Sequence, residues 1–277
     1  MKSKVIFIAL IAVMTVGHLQ AQTSKAFFES VVKNEDTQEK APLPFPHVEA
    51  QDVVWSKTVW RELVLREKMN LPLYYPTEPM DGRMSLIDVL MDGIENSFKI
   101  AYEDDELTTP LTLDEIKEKF GASLDTLWKR DSTGKMVAVP VENEIHTDEV
   151  KRLQVKELWY FNKRTSRMEV RIIALCPIRE YTKDEDGLLK RELFWIDYGD
   201  FSYLLVKQLV YYFKNDALRL ILDDVFLKRY FSSRIIKETN PYNNRAIQSY
   251  ATGMDAILES DRVKKEIFDY EQELWEY

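Results

Sequence analysis

The middle of the chain places an apolar residue at most alternate positions, and this period limits the possible folds more than any other feature. The alternation runs through Leu153 to Phe161, Met168 to Ala174 and Leu193 to Asp197. Because successive side chains of a strand point to opposite faces, each segment predicts a β-strand. Short polar connections, at 162–166 and at Asp186-Gly187, favour antiparallel pairing. The sequence therefore predicts an antiparallel meander of about three strands.

Outside this region, apolar residues recur every three or four positions, which indicates amphipathic helices. Ser85 and Thr112 are predicted to cap two of them, because Asp88 and Glu115 follow three residues later. Pro177 has no N–H to donate, so it is predicted to end the second strand or to lie at a bulge. Helices that flank a small antiparallel sheet define an α+β fold. The predicted helical stripes are Val59, Trp60, Leu63 and Val64; Ile87, Leu90, Met91, Ile94 and Phe98; Phe201, Leu205, Leu209, Tyr212 and Phe213; Leu218, Leu222, Val225 and Phe226; and Val263, Ile267, Tyr270 and Leu274.

Residues 1–21 have the pattern of a secretory signal peptide. Lys2 and Lys4 precede an apolar stretch, Val5 to Gly17, that is shorter than the roughly 20 residues needed to span a bilayer. Cleavage is predicted between Ala21 and Gln22. An uncleaved N-terminal anchor is the alternative interpretation.

Behind the signal peptide, residues 22–50 are predicted to form an extended leader, because they are polar and contain alternate prolines from Pro42 to Pro46. This leader is either a plain tether or an arm that docks onto a neighbouring subunit. An α+β core is expected over residues 51–254, followed by a charged C-terminal helix over residues 255–277.

The charge balance excludes one class of partner. The formal net charge is −9, and removal of Lys2 and Lys4 with the signal peptide would make the mature chain more negative. Non-specific nucleic acid binding needs cations to neutralise phosphates, so no nucleic acid partner is expected. Cys176 is the sole cysteine, which rules out an internal disulfide, and we expect it to be a buried, inert thiol.

Few residues are suited to catalysis or metal binding. His47 lies in the Pro-rich leader and His146 in an acidic loop, and neither has a partner at metal-ligand spacing. The segment Asp184 to Gly187 lacks the ligand spacing of a calcium loop and is better explained as a hairpin turn. No metal or cofactor is therefore predicted.

Two pairs of carboxylates could in principle perform acid–base hydrolysis, which needs no histidine. For the first pair, Asp197 and Asp200, we expect Asp200 to cap the following helix. The second pair, Asp223 and Asp224, is expected on a solvated helix face. Structural roles are therefore favoured and no catalytic residue is predicted, with a periplasmic hydrolase using paired carboxylates as the alternative function.

Aromatic residues are more abundant than one small core needs, and such residues often anchor protein interfaces. The candidate partner-binding residues are Arg66, Asn70, Pro72, Tyr74 and Tyr75. They lie where the chain is predicted to pass from a charged helix into a stretch whose backbone is restricted by prolines. In an extended stretch the two tyrosines point to opposite sides, so that one faces the core and the other a partner. The alternative is that both cover the core of this subunit.

Three segments together resemble the GldN family, which is also called PorN. The first segment is the most specific, because a charged run, an Asn-x-Pro exit and Tyr-Tyr-Pro follow one another in order. The similarity extends from about residue 52 to about residue 250. The segments are Val59 to Pro76; Leu158 to Lys163 together with Arg171 to Pro177; and Asp224 to Ser233 together with Lys237 to Asn240.

The resemblance implies a non-enzymatic structural subunit of the type IX protein secretion and gliding motility machinery of Bacteroidetes. It implies a location in the periplasm, at the periplasmic face of the outer membrane. The implied partners are the outer-membrane lipoprotein GldK (PorK), with which such subunits form rings, and the periplasmic part of the motor protein GldM (PorM). The resemblance implies no catalytic residues and no cofactor, and self-association within the ring.

Overall fold

The computed structural model describes residues 41–277 except 81, 122–123, 131–135, 143–144, 184–186, 212–219 and 274–277. Predictions for residues 1–21, the cleavage at Ala21–Gln22, residues 22–40 of the leader, Asp186, Tyr212, Phe213, Leu218 and Leu274 lie outside the described residues.

Strands and helices are interspersed along the chain, and the two longest strands lie near its middle. The strands are β1 (Val53–Val64), β2 (Ala101–Tyr102), β3 (Pro110–Leu111), β4 (Leu124–Arg130), β5 (Met136–Glu142), β6 (Val150–Asn162), β7 (Arg167–Lys183), β8 (Gly187–Glu192), β9 (Trp195–Asp197), β10 (Leu209–Val210), β11 (Leu220–Ile221) and β12 (Arg234–Glu238). The α-helices are α1 (Leu71–Tyr74), α2 (Leu86–Asn96), α3 (Leu113–Lys119), α4 (Tyr198–Lys207), α5 (Leu222–Leu227) and α6 (Met254–Glu273).

The main sheet is larger than the meander that the sequence predicts. It has eight strands in the order β12-β1-β6-β7-β9-β2-β3, with β8 also paired to β7. All of its pairings are antiparallel. The three predicted strand segments lie in β6, β7 and β9, so the α+β class is confirmed while the count of three strands is wrong.

The helix predicted over Val59 to Val64 is wrong, because this segment is the second half of β1. Its residues from Val59 to Leu63 are all buried, so both faces of the strand are covered. A strand that is buried on both faces shows no alternation of apolar and polar residues. The buried charges in this run, Arg61 and Glu62, are neutralised by ion pairs with neighbouring strands.

Pro177 does not end its strand, and β7 continues to Lys183. On one side, β7 pairs with β9 at Ala174 and Leu175 and then with β8 from Ile178 onward. Pro177 lies between these two pairings, where its carbonyl accepts a bond from Leu193. Its missing N–H therefore falls at a break in the ladder, where a proline is tolerated.

Both predicted helix starts are confirmed. The Ser85 hydroxyl accepts a hydrogen bond from the Asp88 N–H at 3.1 Å at the start of α2. At the start of α3, Thr112 and Glu115 form a reciprocal capping box. The apolar stripe of α2 ends earlier than predicted, because the helix stops at Asn96 and Phe98 is 89% exposed. The predicted stripe beyond Phe201 is also interrupted, since Leu209 lies in β10.

Helices cover one side of the central strands. Val59, Arg61 and Leu63 alternate along β1 and share this side. Leu63 belongs to the main hydrophobic core, which includes residues of α1 to α5, whereas Val59 packs in a separate cluster with α6. The opposite side carries Trp60, which packs with the predicted buried thiol of Cys176. Burial raises the pKa of Cys176 well above its ordinary value.

Two margins of the main sheet, β12 and β3, are covered or short, whereas β8 is paired with β7 alone among the described strands. At one edge, the backbone N–H of Ile235 in β12 donates to the Ser260 hydroxyl of α6 at 2.9 Å. Lys237 of the same strand forms an isolated bridge with Ala246. The other edge, β3, is two residues long and includes Pro110. Within the described residues, no helix is both long enough and apolar enough to cross a membrane.

Candidate partner-binding surface

The segment that follows β1 contains all five residues predicted to bind a partner. Arg66 is exposed in a turn, and the chain then enters α1. Pro72 lies in the first turn of α1, where the absent N–H has no intrahelical partner to lose. The segment is therefore a turn and a short helix, and the prediction that it is extended is wrong before Tyr75. Tyr75 itself has extended backbone angles.

Asn70 is fully buried and joins this segment to the loop before β12. Its amide nitrogen donates to the carbonyls of Val64 and Ser232, each at 2.9 Å. Its amide oxygen accepts from the backbone N–H of Ser232 at 2.8 Å. All three bonds are internal, so Asn70 acts on any partner surface only by holding the segment in place.

The two adjacent tyrosines differ in exposure: one is buried and the other is exposed, which is the arrangement that the partner interpretation requires. Tyr74 is 9% exposed, and its hydroxyl donates to the Asp148 carbonyl at 2.8 Å. Tyr75 is 55% exposed, and its ring meets the Tyr74 ring edge-on at 5.0 Å between centroids. The buried tyrosine thus supports the ring of the exposed one.

Tyr75 lines an apolar groove of about 410 Å³, which we call the Tyr75 groove. Tyr211, which is 61% exposed, forms part of its other wall, and the Arg83 guanidinium lies 3.7 Å from the centre of the Tyr211 ring. This stacking holds an aromatic side chain open to solvent, as at many protein interfaces. The lining residues are Leu71, Pro72, Tyr75, Pro76, Met80, Arg83, Leu209 and Tyr211.

Sequence reasoning identified two of the eight residues that line this groove. Pro72 and Tyr75 are among the predicted residues, whereas Met80, Arg83 and Leu209 are not. These three come from a loop and from β10, which are close to α1 only in the folded chain. The excess of aromatic residues was the available signal for Tyr211, but nothing local pairs it with Tyr75.

The first carboxylate pair has a structural role. The prediction that Asp200 caps α4 is wrong, because the cap is Asp197, whose carboxylate accepts from the backbone N–H groups of Gly199 and Asp200. Asp200 is exposed in the first turn of the helix, where a negative charge is favourable. The pair is thus placed at a helix start, outside the Tyr75 groove.

The second pair is divided between the core and the surface. Asp223 is 4% exposed and accepts a hydrogen bond from the Tyr198 hydroxyl at 2.6 Å, so the prediction that it lies on a solvated face is wrong. Burial raises the pKa of Asp223 above its ordinary value, the Tyr198 hydrogen bond opposes this, and the nearby Asp224 charge adds to it. Asp224 pairs with Lys228 at 2.9 Å along the same helix.

Asp223→Asn should leave the protein at least as stable at neutral pH and should remove part of the pH dependence of stability. The unfolded chain loses the Asp223 proton near the ordinary pKa of 3.8, whereas the folded chain keeps it to a higher pH. Between these two values the folded state binds more protons, so the free energy of unfolding falls as pH rises. Asparagine can still accept the Tyr198 hydrogen bond but carries no charge.

Urea unfolding from about pH 4, near the ordinary pKa of aspartate, to about pH 7 measures this effect. Asp224→Asn is the matched control, since its carboxylate is partly exposed and is paired with Lys228 on the same helix. A larger loss of stability for Asp223→Asn at the high end of the range than at the low end would contradict the prediction.

The remaining candidates for catalysis or metal binding are exposed. His47 is exposed, and the Nδ1 atom of His146 lies 4.0 Å from an oxygen of Asp148 at the surface. A search restricted to the described residues finds no group of three or more His, Cys, Asp or Glu side chains that could hold a metal ion.

The structure is thus an α+β fold with an exposed, largely apolar groove that two tyrosine rings line. Its sequence matches the family described as "Gliding motility associated protein GldN" over residues 48–276. The chain therefore belongs to the GldN family, as its sequence resemblance indicated, and is a gliding motility associated protein. A comparison with curated protein sequences finds no match.

Proposed function

We propose that this protein is a non-enzymatic structural subunit of the type IX secretion and gliding motility machinery. In this proposal it binds the outer-membrane lipoprotein GldK (PorK) through the Tyr75 groove and associates with further copies in a ring. A separate contact with the periplasmic part of GldM (PorM) completes the assembly. The protein acts in the periplasm, at the outer membrane, after its signal peptide is removed.

The observation that carries the proposal is the exposed aromatic groove beside the most family-specific segment of the sequence. Tyr75 and Tyr211 are each more than half exposed, and neither is needed to cover the core. Membership of the GldN family supports the link to gliding motility. The alternative of a hydrolase has less support, because Asp197 caps a helix and Asp223 pairs with Tyr198.

Tyr75→Ala and Tyr211→Ala should each weaken binding to the purified periplasmic domain of the lipoprotein by about 2 kcal/mol, roughly thirtyfold in Kd. Both rings are accessible, so each substitution should change the thermal midpoint of the mature protein only slightly. Calorimetric titration measures the first quantity and thermal unfolding the second.

Tyr242→Ala is the matched control, because Tyr242 is 66% exposed and also stacks with an arginine, Arg245, at 4.8 Å. It lies outside the groove and should leave the affinity unchanged. Tyr74→Ala removes the buried ring and should lower stability. If the Tyr75 and Tyr211 variants lose affinity only in proportion to lost stability, the segment is part of the core and the interface lies elsewhere.

A further inference from the structure

A second groove opens between the main core and the cluster beneath α6, on the helix-covered side of the sheet. Its volume is about 480 Å³. We call it the Arg61 groove, since Arg61 of β1 lies between Val59 and Leu63, which belong to those two clusters. The residues that matter for its chemistry are Arg61, Met69, Trp159, Arg229, Lys264 and Phe268.

The wall of this groove is built on a fully buried carboxylate. Glu157 Oε2 accepts from Arg61 Nε at 2.7 Å, from Trp159 Nε1 at 2.9 Å and from Arg229 Nη2 at 3.3 Å. Arg229 Nη1 lies 2.9 Å from Oε1 of the same carboxylate. One buried negative charge is therefore shared by two guanidinium groups.

The positive charge exceeds the negative charge at this site. Besides Arg61 and Arg229, the exposed Lys264 lines the groove, and Glu271 is the acidic side chain that lines it. With Glu157 included, three cationic groups face two carboxylates. This local excess is opposite in sign to the formal net charge of the chain, −9.

Arg61 also has hydrogen-bonding capacity left over. It is 6% exposed, yet among the described residues its Nε is the atom that donates to an acceptor, Glu157. A guanidinium group has five N–H donors. The Nη donors of a nearly buried arginine on the groove wall are thus available to an oxygen atom that enters the groove.

Both guanidinium groups are held in place by aromatic rings. Arg229 Cζ lies 5.2 Å from the ring centres of Trp159 and Phe231, and Arg61 Cζ lies 5.8 Å from that of Trp159. Cations ordered in advance lose little conformational entropy when an anion binds. Phe268 and Met69, which are 57% and 50% exposed, add an accessible apolar surface beside them.

We propose that the Arg61 groove binds an acidic segment of a partner protein, with an aspartate or glutamate carboxylate on Arg61, Arg229 and Lys264. The neighbouring side chain of that segment is aromatic or large and aliphatic, and it packs on Phe268 and Met69. The planar fork of arginine suits a carboxylate, and the apolar rim distinguishes such a segment from a free inorganic anion. This site is separate from the Tyr75 groove and does not rest on the function proposed for that groove.

The test uses the whole mature chain and a short peptide, capped at both ends, in which one aspartate is flanked by phenylalanines. Calorimetric titration compares it with the same peptide carrying asparagine and with inorganic phosphate. We expect the asparagine peptide and phosphate each to bind at least about tenfold more weakly, as expected for loss of a charge-assisted bond and of the apolar contact. Equal binding of the two peptides, no binding of either, or phosphate binding as tightly as the aspartate peptide would overturn the proposal.

Variants of the protein test whether the peptide binds in the Arg61 groove. Lys264→Gln, at an exposed position on α6, should weaken binding of the aspartate peptide severalfold without changing the fold. Arg229→Gln should weaken binding of the same peptide by about tenfold or more. Lys265→Gln is the matched control, because Lys265 is the next exposed lysine of the same helix and does not line the groove. If Lys264→Gln and Lys265→Gln bind the peptide alike, the proposal is wrong even where Arg229→Gln fails to fold.

Discussion

Replacing Glu157 with alanine should lower the free energy of unfolding by about 3–5 kcal/mol, the usual effect of breaking a buried ion pair by removing one partner. Glu157 is fully buried in β6 and accepts hydrogen bonds from Arg61, Arg229 and Trp159. Without it, Arg61 remains a nearly buried charge with no counter-charge. Burial already lowers the pKa of Arg61, and the attraction of Glu157 opposes that effect.

Urea unfolding of the purified variants measures this loss. Glu157→Gln keeps the shape and one acceptor oxygen, so its effect should be smaller than that of alanine. Glu192→Ala is the matched control on the same sheet, because Glu192 is exposed and accepts a bond from Gln154 at the surface. Its effect should stay within about 0.5 kcal/mol.

A double replacement separates the buried charge from the lost packing. Arg61→Met combined with Glu157→Met should be less destabilising than Glu157→Met alone, because the nearly buried Arg61 charge is removed together with its partner. Arg229 also loses its partner, but its side chain is 30% exposed and can be solvated. If the double variant is instead as unstable as the sum of the single variants, the site is held by packing and the ion pair contributes little.

Replacing Asn70 with alanine should be nearly as damaging, with a loss of about 2–5 kcal/mol. The amide of the fully buried Asn70 makes three hydrogen bonds, to Val64 and to both backbone groups of Ser232. Each polar group left unpaired inside a protein costs about 1–3 kcal/mol. Since these bonds tie the segment after β1 to the loop before β12, their loss should also loosen the Tyr75 groove.

Asn96→Ala provides the comparison for Asn70. Its amide donates to Asp92 at 2.7 Å on an exposed helix face, so water can replace the lost bond. Its effect should stay within about 0.5 kcal/mol. Thermal unfolding gives both stabilities, and hydrogen exchange of the Ser232 amide should accelerate in the Asn70 variant alone. Equal stabilities for the two variants would contradict the structural role of Asn70.

The features that were predictable from the sequence are those that depend on a few neighbouring residues. Ser85 and Thr112 cap their helices because the acceptor and the N–H that it bonds are three residues apart. The alternation in β6 was visible because buried and less buried residues alternate from Leu153 to Leu158. Interactions between residues that are close in the chain can thus be predicted from short stretches of sequence.

The errors occur where distant parts of the chain decide the outcome. The run from Val59 to Leu63 carries apolar and charged residues in helical order, and it is a strand because Glu157 and α6 cover it from elsewhere in the chain. The sequence around Asp223 is typical of a surface position, but in the folded chain Asp223 is buried and hydrogen-bonded to Tyr198. The sequence predicted that one of Tyr74 and Tyr75 faces outward but not which one; the exposed residue is Tyr75. Its groove depends on Arg83 and Tyr211, which no sequence spacing relates to it.

Two protected edges of the main sheet, at β12 and β3, affect how the protein behaves when many copies are crowded together. An open strand edge is a template for uncontrolled addition of further strands, and so for fibres and precipitates. Here the backbone N–H of Ile235 at the β12 edge donates to the Ser260 hydroxyl. The β3 edge includes Pro110, which has no N–H to donate. At these two margins, addition of a strand from a crowded neighbouring copy is therefore hindered, and contacts there depend on side chains rather than on backbone pairing.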